Sequence, residues 1–148
     1  MKAFVWALVT FTVLSDQAAK FLASQSLTPG APRAVVEGFF YLTLVHNTGA
    51  AFGVFPNQAL FFLIVSGLTV IMIVIFLRKK YDIILPRDLG FALILGGAVG
   101  NLIDRVRLGY VVDFFDFRIW PVFNVADSAI TVGAFLIIIS VFRKRREA

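Results

Sequence analysis

The sequence predicts an all-α integral membrane protein with four transmembrane helices, and three observations carry that prediction. The 148 residues are 59% hydrophobic and only 16% charged, against roughly 45–50% apolar and ~25% charged in soluble domains. Mean hydropathy is +0.89, which leaves too little polar surface to cover a soluble core. Four apolar stretches approach the ~20 helical residues that cross a hydrocarbon core, separated by segments that hold turn formers and charges.

The chain reads as one domain, residues 1–148. The first span covers about 4–22 and is interrupted late by Asp16, Gln17 and Lys20. Lys2 ahead of an apolar run resembles a secretory leader. The run continues to Leu22 without a small-residue cleavage site, however, so a retained span is expected. An external segment, about 23–58, holds the turn formers Thr28-Pro29-Gly30-Ala31-Pro32 and then an alternating run, Phe39 to Val45, that reads as strand. The second span, about 59–77, carries no charge. The third, about 89–105, is glycine-rich (Gly90, Gly96, Gly97, Gly100) and ends in Asp104-Arg105; its small-xxx-small spacing suits close helix packing. A second external segment, about 106–121, includes the strand-like Val111 to Phe117. Both external segments are greasy enough to lie against the membrane or each other. The fourth span, about 122–142, is apolar except for Asn124, Asp127, Ser128 and a few small hydroxyls.

The charges orient these spans. Of the fourteen cations, Lys2, Arg78, Lys79, Lys80, Arg87, Arg143, Lys144, Arg145 and Arg146 flank the spans on one side. The positive-inside rule then makes both termini and the 78–88 loop cytoplasmic. The formal net charge of +5 is thus a topology signal, and no nucleic-acid partner is expected. Trp6 and Trp120 fall near opposite interfaces, where aromatic belts form.

Depth brings the polar residues together. At ~1.5 Å rise per residue, Asp16 lies ~18 Å from Phe4, while Asn101 and Asp104 lie ~18 and ~22 Å from Leu89. Asp127 lies ~22 Å from Phe142. Three helices therefore carry carboxylates at one level, in the outer third of a ~30 Å core. Asp16 and Lys20 are i,i+4, and Asn101, Asp104 and Arg105, like Asn124, Asp127 and Ser128, are i, i+3, i+4, so each set shares a face. Intramembrane ionisable groups are expensive and are functional candidates by default. The alternatives are ion pairs, Asp16–Lys20 and Asp104–Arg105, that hold a bundle together, or an Arg105 that grips a substrate carbonyl or headgroup phosphate. A proton-coupled transporter would spread its acids along a path; one common depth favours a single site.

The chemistry available is narrow. Without cysteine and with one histidine, His46, there is neither a thiol nucleophile nor a His-rich metal site, and no cofactor is expected. A Ser-His-Asp triad lacks its G-x-S-x-G elbow. Carboxylates remain, and Asp113 and Asp127 are the pair of choice. Asp113 sits in an aromatic strand-like run just outside the membrane, and Trp120-Pro121 offers a turn back into the helix that carries Asp127. Two carboxylates in contact in an apolar site share a proton, which supplies a general base and a general acid together. Asp116 competes with Asp113 if the run is helical, but in a strand it points to the opposite face.

Five motifs in order resemble those of bacterial lipoprotein signal peptidase, the signal peptidase II family of aspartic peptidases. They are Asp16-Gln17-Ala18-Ala19-Lys20, Asn47-Thr48-Gly49-Ala50-Ala51-Phe52-Gly53, Gly97-Ala98-Val99-Gly100-Asn101-Leu102-Ile103-Asp104-Arg105, Val111-Val112-Asp113-Phe114 and Phe123-Asn124-Val125-Ala126-Asp127-Ser128. The resemblance spans the chain, although residues 23–38 show no distinctive match. It implies a peptidase of the bacterial inner membrane that cleaves diacylglyceryl-modified prolipoproteins before the lipidated cysteine and is blocked by globomycin. It implies Asp113 and Asp127 as the catalytic dyad. Asn47, Gly49, Asn101, Asp104, Arg105 and Asn124 then serve as substrate-binding or supporting residues, and Asp16 and Lys20 as support. It also implies a small extracytoplasmic β-cradle and a short interfacial helix.

Overall fold

The computed structural model describes residues 2–49, 59–78 and 85–146. Helix α1 spans Lys2–Ser26, α2 spans Ala59–Arg78, α3 spans Leu85–Leu108 and α4 spans Val125–Arg146; strands β1 (Arg33–Val36), β2 (Phe40–Asn47) and β3 (Val111–Asp116) form one small sheet. The protein is mostly helical with a three-stranded antiparallel sheet in the order β1-β2-β3. The strands read from the sequence are β2 and β3. The short β1 falls in the stretch with no distinctive pattern.

Among the described residues, three helices are long and apolar enough to cross a membrane, within α2, α3 and α4. The first expected span, α1, is a helix of 25 residues, but Asp16, Gln17, Lys20, Ser24 and Gln25 make its final third polar. The short interfacial helix is not seen among the described residues.

Packing is uneven around α3. It lies against α4, α1 and α2, whereas α1 meets α4 less extensively and α2 meets chiefly α3. The glycines explain how closely α3 approaches its partners. A Cβ on Gly90 would stand 2.6 Å from the Gly133 carbonyl oxygen, and one on Gly133 would stand 2.6 Å from that of Gly90. Gly96 meets Thr12 of α1, and Gly97 meets the backbone of Ala126 in α4. These are packing positions, in keeping with the small-residue spacing. Among the described residues the apolar core, Val5, Val9, Ile73, Leu77, Ala92 and Leu95, fills the end of the bundle away from the sheet. Most of the buried polar groups are gathered at the other end, while Asp88, beside Arg87, is buried at the apolar one.

The sheet caps that polar end. β3 is buried on both faces from Val111 to Phe114 and packs against α1 and α3. Its register with β2 pairs Val45 with Asp113 and Asn47 with Val111. A bulge between Leu42 and Val45 breaks the alternation, so that consecutive Thr43 and Leu44 are both buried. Phe40 stacks on Phe117 at 4.8 Å, and Phe117 on Phe123 at 5.9 Å. Arg118, at φ 66 the sole non-glycine residue with positive φ among the described residues, turns the chain there. Its guanidinium lies 3.8 Å from the centre of the Tyr41 ring.

Gly133→Ala is expected to destabilise the fold by about 1–3 kcal/mol, the usual range for overpacking a tight contact. Gly67 of α2 has nothing within 4 Å of its missing Cβ, so Gly67→Ala is expected to be neutral or to raise stability slightly. Thermal unfolding of the two variants in one detergent measures the contrast.

Candidate active site

The site is assembled where α1, α3, β3 and α4 meet. Asn124 is the residue before α4, and its Oδ1 accepts the Asp127 backbone N–H at 2.9 Å. Asp127 Oδ2 accepts the Asn124 N–H in return, at 3.3 Å. This reciprocal cap satisfies donors that a helix N-terminus otherwise leaves open. It also fixes Asp127 in the first turn, with one carboxylate oxygen left for the interior.

Asn124 reaches further. Its Nδ2 donates to Asp113 Oδ1 at 2.7 Å and to Asn101 Oδ1 at 3.1 Å. Asn101 Nδ2 donates in turn to Asp127 Oδ1 at 2.8 Å. Asp113 and Asp127 are thus joined through two carboxamides, and both line one cavity of about 240 Å³ together with Asn47, Gly49, Asn101, Arg105, Trp120 and Phe123. Asp113 also accepts a 2.9 Å hydrogen bond from Asn47 Nδ2. The register accounts for it: Asp113 opposes Val45, so Asn47 is its diagonal neighbour on the same face.

Asp113 is 2% exposed. Burial pushes its carboxyl up to about 7, the nearby Asp127 carboxylate adds to the rise, and the amides of Asn47 and Asn124 oppose it. A carboxyl so placed is still half protonated at neutral pH.

Beneath this pair lies a buried charge cluster. Lys20 Nζ donates to Asp16 Oδ2 at 2.9 Å, Asp104 Oδ2 at 2.8 Å and Asn101 Oδ1 at 2.8 Å. Asp104 is therefore the partner of Lys20, and the Asp104–Arg105 pair considered from spacing does not form. Arg105 turns instead toward α2, with its Nη1 3.4 Å from Ser66 Oγ and its guanidinium 5.7 Å from the Phe62 ring centre. Gly100 leaves room for Asp16, whose Oδ2 would be 2.5 Å from a Cβ there.

All ten side positions named from the sequence fall within this assembly. Asp113, Asp127, Asn47, Gly49, Asn101 and Arg105 line the cavity, Asn124 links its two acids, and Asp16, Lys20 and Asp104 form the cluster below. Asn47 ends β2, where its Oδ1 accepts the Gly49 backbone N–H at 3.0 Å, and residues 50–53 of that motif lie outside the described residues. Asp116 faces away from Asp113, as strand geometry requires, and accepts the Thr43 hydroxyl at 2.7 Å. His46 is exposed and stacks on Tyr110 at 4.3 Å. Sequence reading passed over Gln17, whose Nε2 donates to Asp104 Oδ1 at 2.9 Å and to the Gly100 carbonyl at 3.2 Å. Its place between Asp16 and Lys20 on a polar helix end was the available signal. Ser66 and Phe62 gave none, lying in a span with no charge. Among the described residues no group of three or more His, Cys, Asp or Glu is arranged to hold a metal.

Comparison with known proteins points to one family and one fold. A family model described as signal peptidase (SPase) II matches residues 8–143. The lipoprotein signal peptidase of Caldanaerobacter subterraneus subsp. tengcongensis is 49% identical over 131 residues, covering 88% of this chain and 90% of that protein. That of Halothermothrix orenii is 39% identical over 142 residues, covering 96% and 97%. A bacterial membrane enzyme solved by the in meso method at 2.3 Å superposes with a TM-score of 0.89 at 34% identity, over 97% of this chain and 90% of its own.

Asn47→Ala removes a hydrogen bond that favours the charged form of Asp113, so the Asp113 titration is expected to move upward from about 7. Infrared difference spectra of the protonated carboxyl band against pH measure the shift, with Asp113→Asn identifying the band.

Proposed function

Because the chain belongs to the signal peptidase II family, a family of membrane peptidases, we propose that Asp113 and Asp127 form an aspartic dyad that removes the signal peptide from diacylglyceryl-modified prolipoproteins. The observation that carries this reading is the pair of carboxylates on one cavity, joined by Asn101 and Asn124. Cleavage falls before the lipidated cysteine. The acyl chains of such a substrate stay in the bilayer, which holds the scissile bond near the interface, at the depth of the polar end of the bundle.

The mechanism follows from the unequal surroundings of the two acids. Asp113, with its carboxyl raised to about 7, holds the shared proton and gives it to the scissile carbonyl oxygen. Asp127 takes a proton from the attacking water, and a tetrahedral intermediate forms. The proton gained by one acid then serves the leaving amine. Asn47, Asn101 and Asn124 keep the carboxylates oriented, and Arg105, anchored on α2, offers a donor to substrate carbonyls or to a headgroup phosphate. The aromatic segments around Trp120 and Phe123 exclude water, which strengthens every polar contact inside.

In the cell this reading puts the enzyme in the bacterial inner membrane with four spans, α1 included. The internal matching of the polar residues of α1 supports its crossing. Both termini are cytoplasmic, as the cation distribution requires, and the sheet is an extracytoplasmic cradle. On this reading globomycin blocks the enzyme.

Asp113→Asn and Asp127→Asn should each fold and bind substrate but lose at least ~10³-fold in turnover of a lipidated precursor. Near-normal cleavage by either overturns the reading. The sign of the pH dependence is set by Asp113: its proton is lost as pH rises through about 7. The rate kcat/KM should therefore fall along an alkaline limb with its midpoint near that value, and Asn47→Ala should carry the limb upward.

A further inference from the structure

The dyad reading leaves the buried charge cluster without a task, and its hydrogen bonds specify one. Asp16 gives one oxygen to Lys20; its other oxygen accepts the backbone N–H of Ala126 at 2.9 Å. Asp104 gives one oxygen to Gln17, while the oxygen that meets Lys20 also accepts the backbone N–H of Val112 at 3.1 Å. Ala126 immediately precedes Asp127, and Val112 immediately precedes Asp113. One lysine thus ties together the two carboxylates that hold the peptide groups in front of the two dyad residues.

Resting on the dyad assignment above, we infer that Lys20, acting through Asp16 and Asp104, is a positioning residue that sets the separation of Asp113 and Asp127. The two aspartates come from unlike elements, a strand end and a helix N-terminus, with residues 114–126 between them. Fixing the preceding amide leaves each aspartate few backbone freedoms, since consecutive Cα atoms keep a constant ~3.8 Å spacing. The third donor of Lys20 reaches Asn101, which bonds Asp127 directly and Asp113 through Asn124. The lysine therefore holds the pair by a backbone route and by a side-chain route. Its side chain is 4% exposed, and those of Asp16 and Asp104 are 0% and 4% exposed. None of the three appears among the residues that line the cavity.

A cluster that merely fastened α1 to α3 would need only the lysine and a carboxylate on each helix. It would not need one oxygen committed to α4 and another to β3. The two roles also differ in what they do to turnover. A fastener changes the fraction folded; a positioning device changes the rate of the folded enzyme, where a ~1 Å misplacement of reacting groups costs ~10²-fold.

The test is the neutral triple variant Asp16→Asn, Lys20→Met, Asp104→Asn, which leaves no unpaired buried charge. Such replacements of buried ion clusters often preserve or raise stability. In detergent with a lipidated precursor peptide, the expected result is a cooperative fold with kcat lowered ~10²-fold or more and KM within about threefold of the parent. Wild-type kcat in the folded variant overturns the inference. A raised KM at unchanged kcat also overturns it, by making the cluster a substrate contact. Should the triple variant not fold, Asp16→Asn alone decides, since it keeps shape but has a single oxygen for both the Ala126 amide and Lys20. A tenfold or greater loss of kcat at unchanged KM supports positioning, and full kcat refutes it. Failure of the dyad reading is a separate result, in which Asp113→Asn or Asp127→Asn still cleaves.

Discussion

An ammonium group taken out of water must find three acceptors, and the position of Lys20 follows from that requirement. Its three donors end on Asp16, Asp104 and Asn101, which binds the polar ends of α1 and α3 into one unit. The charges do not neutralise each other in isolation. Two acids face one base, and the excess negative charge is taken up by neutral donors: the amides of Ala126 and Val112 and the carboxamide of Gln17. A buried carboxylate with its remaining lone pairs filled avoids much of the penalty that makes buried ion pairs marginal. Among the described residues, no buried side-chain nitrogen or oxygen lacks a partner. That completeness is what lets so polar a cluster sit at the end of a bundle whose other end is filled mainly by apolar side chains.

The same constraint explains why this end of the molecule is rigid enough for chemistry although the bundle is thin. Helix association in lipid gains little from hydrophobicity and rests on close packing and interhelical hydrogen bonds. Here the close packing comes from the glycines of α3 against α1 and α4, Gly90 meeting Gly133, and the hydrogen bonds are concentrated at the site. The reciprocal cap of Asn124 and Asp127 adds a third device, in which one pair ends a helix and presents a carboxylate at once. Fold and site thus share their stabilising contacts around Asp113 and Asp127.

How much of this could be read beforehand divides along the range of each interaction. The helices, β2 and β3 were legible because hydrophobic runs and alternation are local. The faces carrying Asp16, Asn101, Asp104, Asn124 and Asp127 were legible because helical spacing fixes them. The first span was harder to judge: its polar end lowers its hydropathy, and those side chains are satisfied by contacts far away in sequence. Which base meets which acid was not legible. Arg105 is adjacent to Asp104, yet adjacent residues on a helix point apart, and the buried partner came from α1. The place of Asn47 depended on the register of β2 against β3, which a bulge between Leu42 and Val45 resets. The short β1 carries four exposed residues and had no pattern to betray it.

The arrangement also bears on which of the two acids holds the proton. Asp127 sits at the first turn of a helix, half-buried, with the N–H of Asn124 and the amide of Asn101 directed at its two oxygens. Asp113 receives two carboxamides but is almost entirely enclosed, and its burial outweighs them. Both acids thus accept from N–H donors, and they differ in burial: Asp127 is half-buried and Asp113 is enclosed. The enclosure of Asp113 favours its protonated form. The asymmetry is built by the two elements themselves: Asp127 stands in the first turn of a helix and Asp113 in a strand buried on both faces.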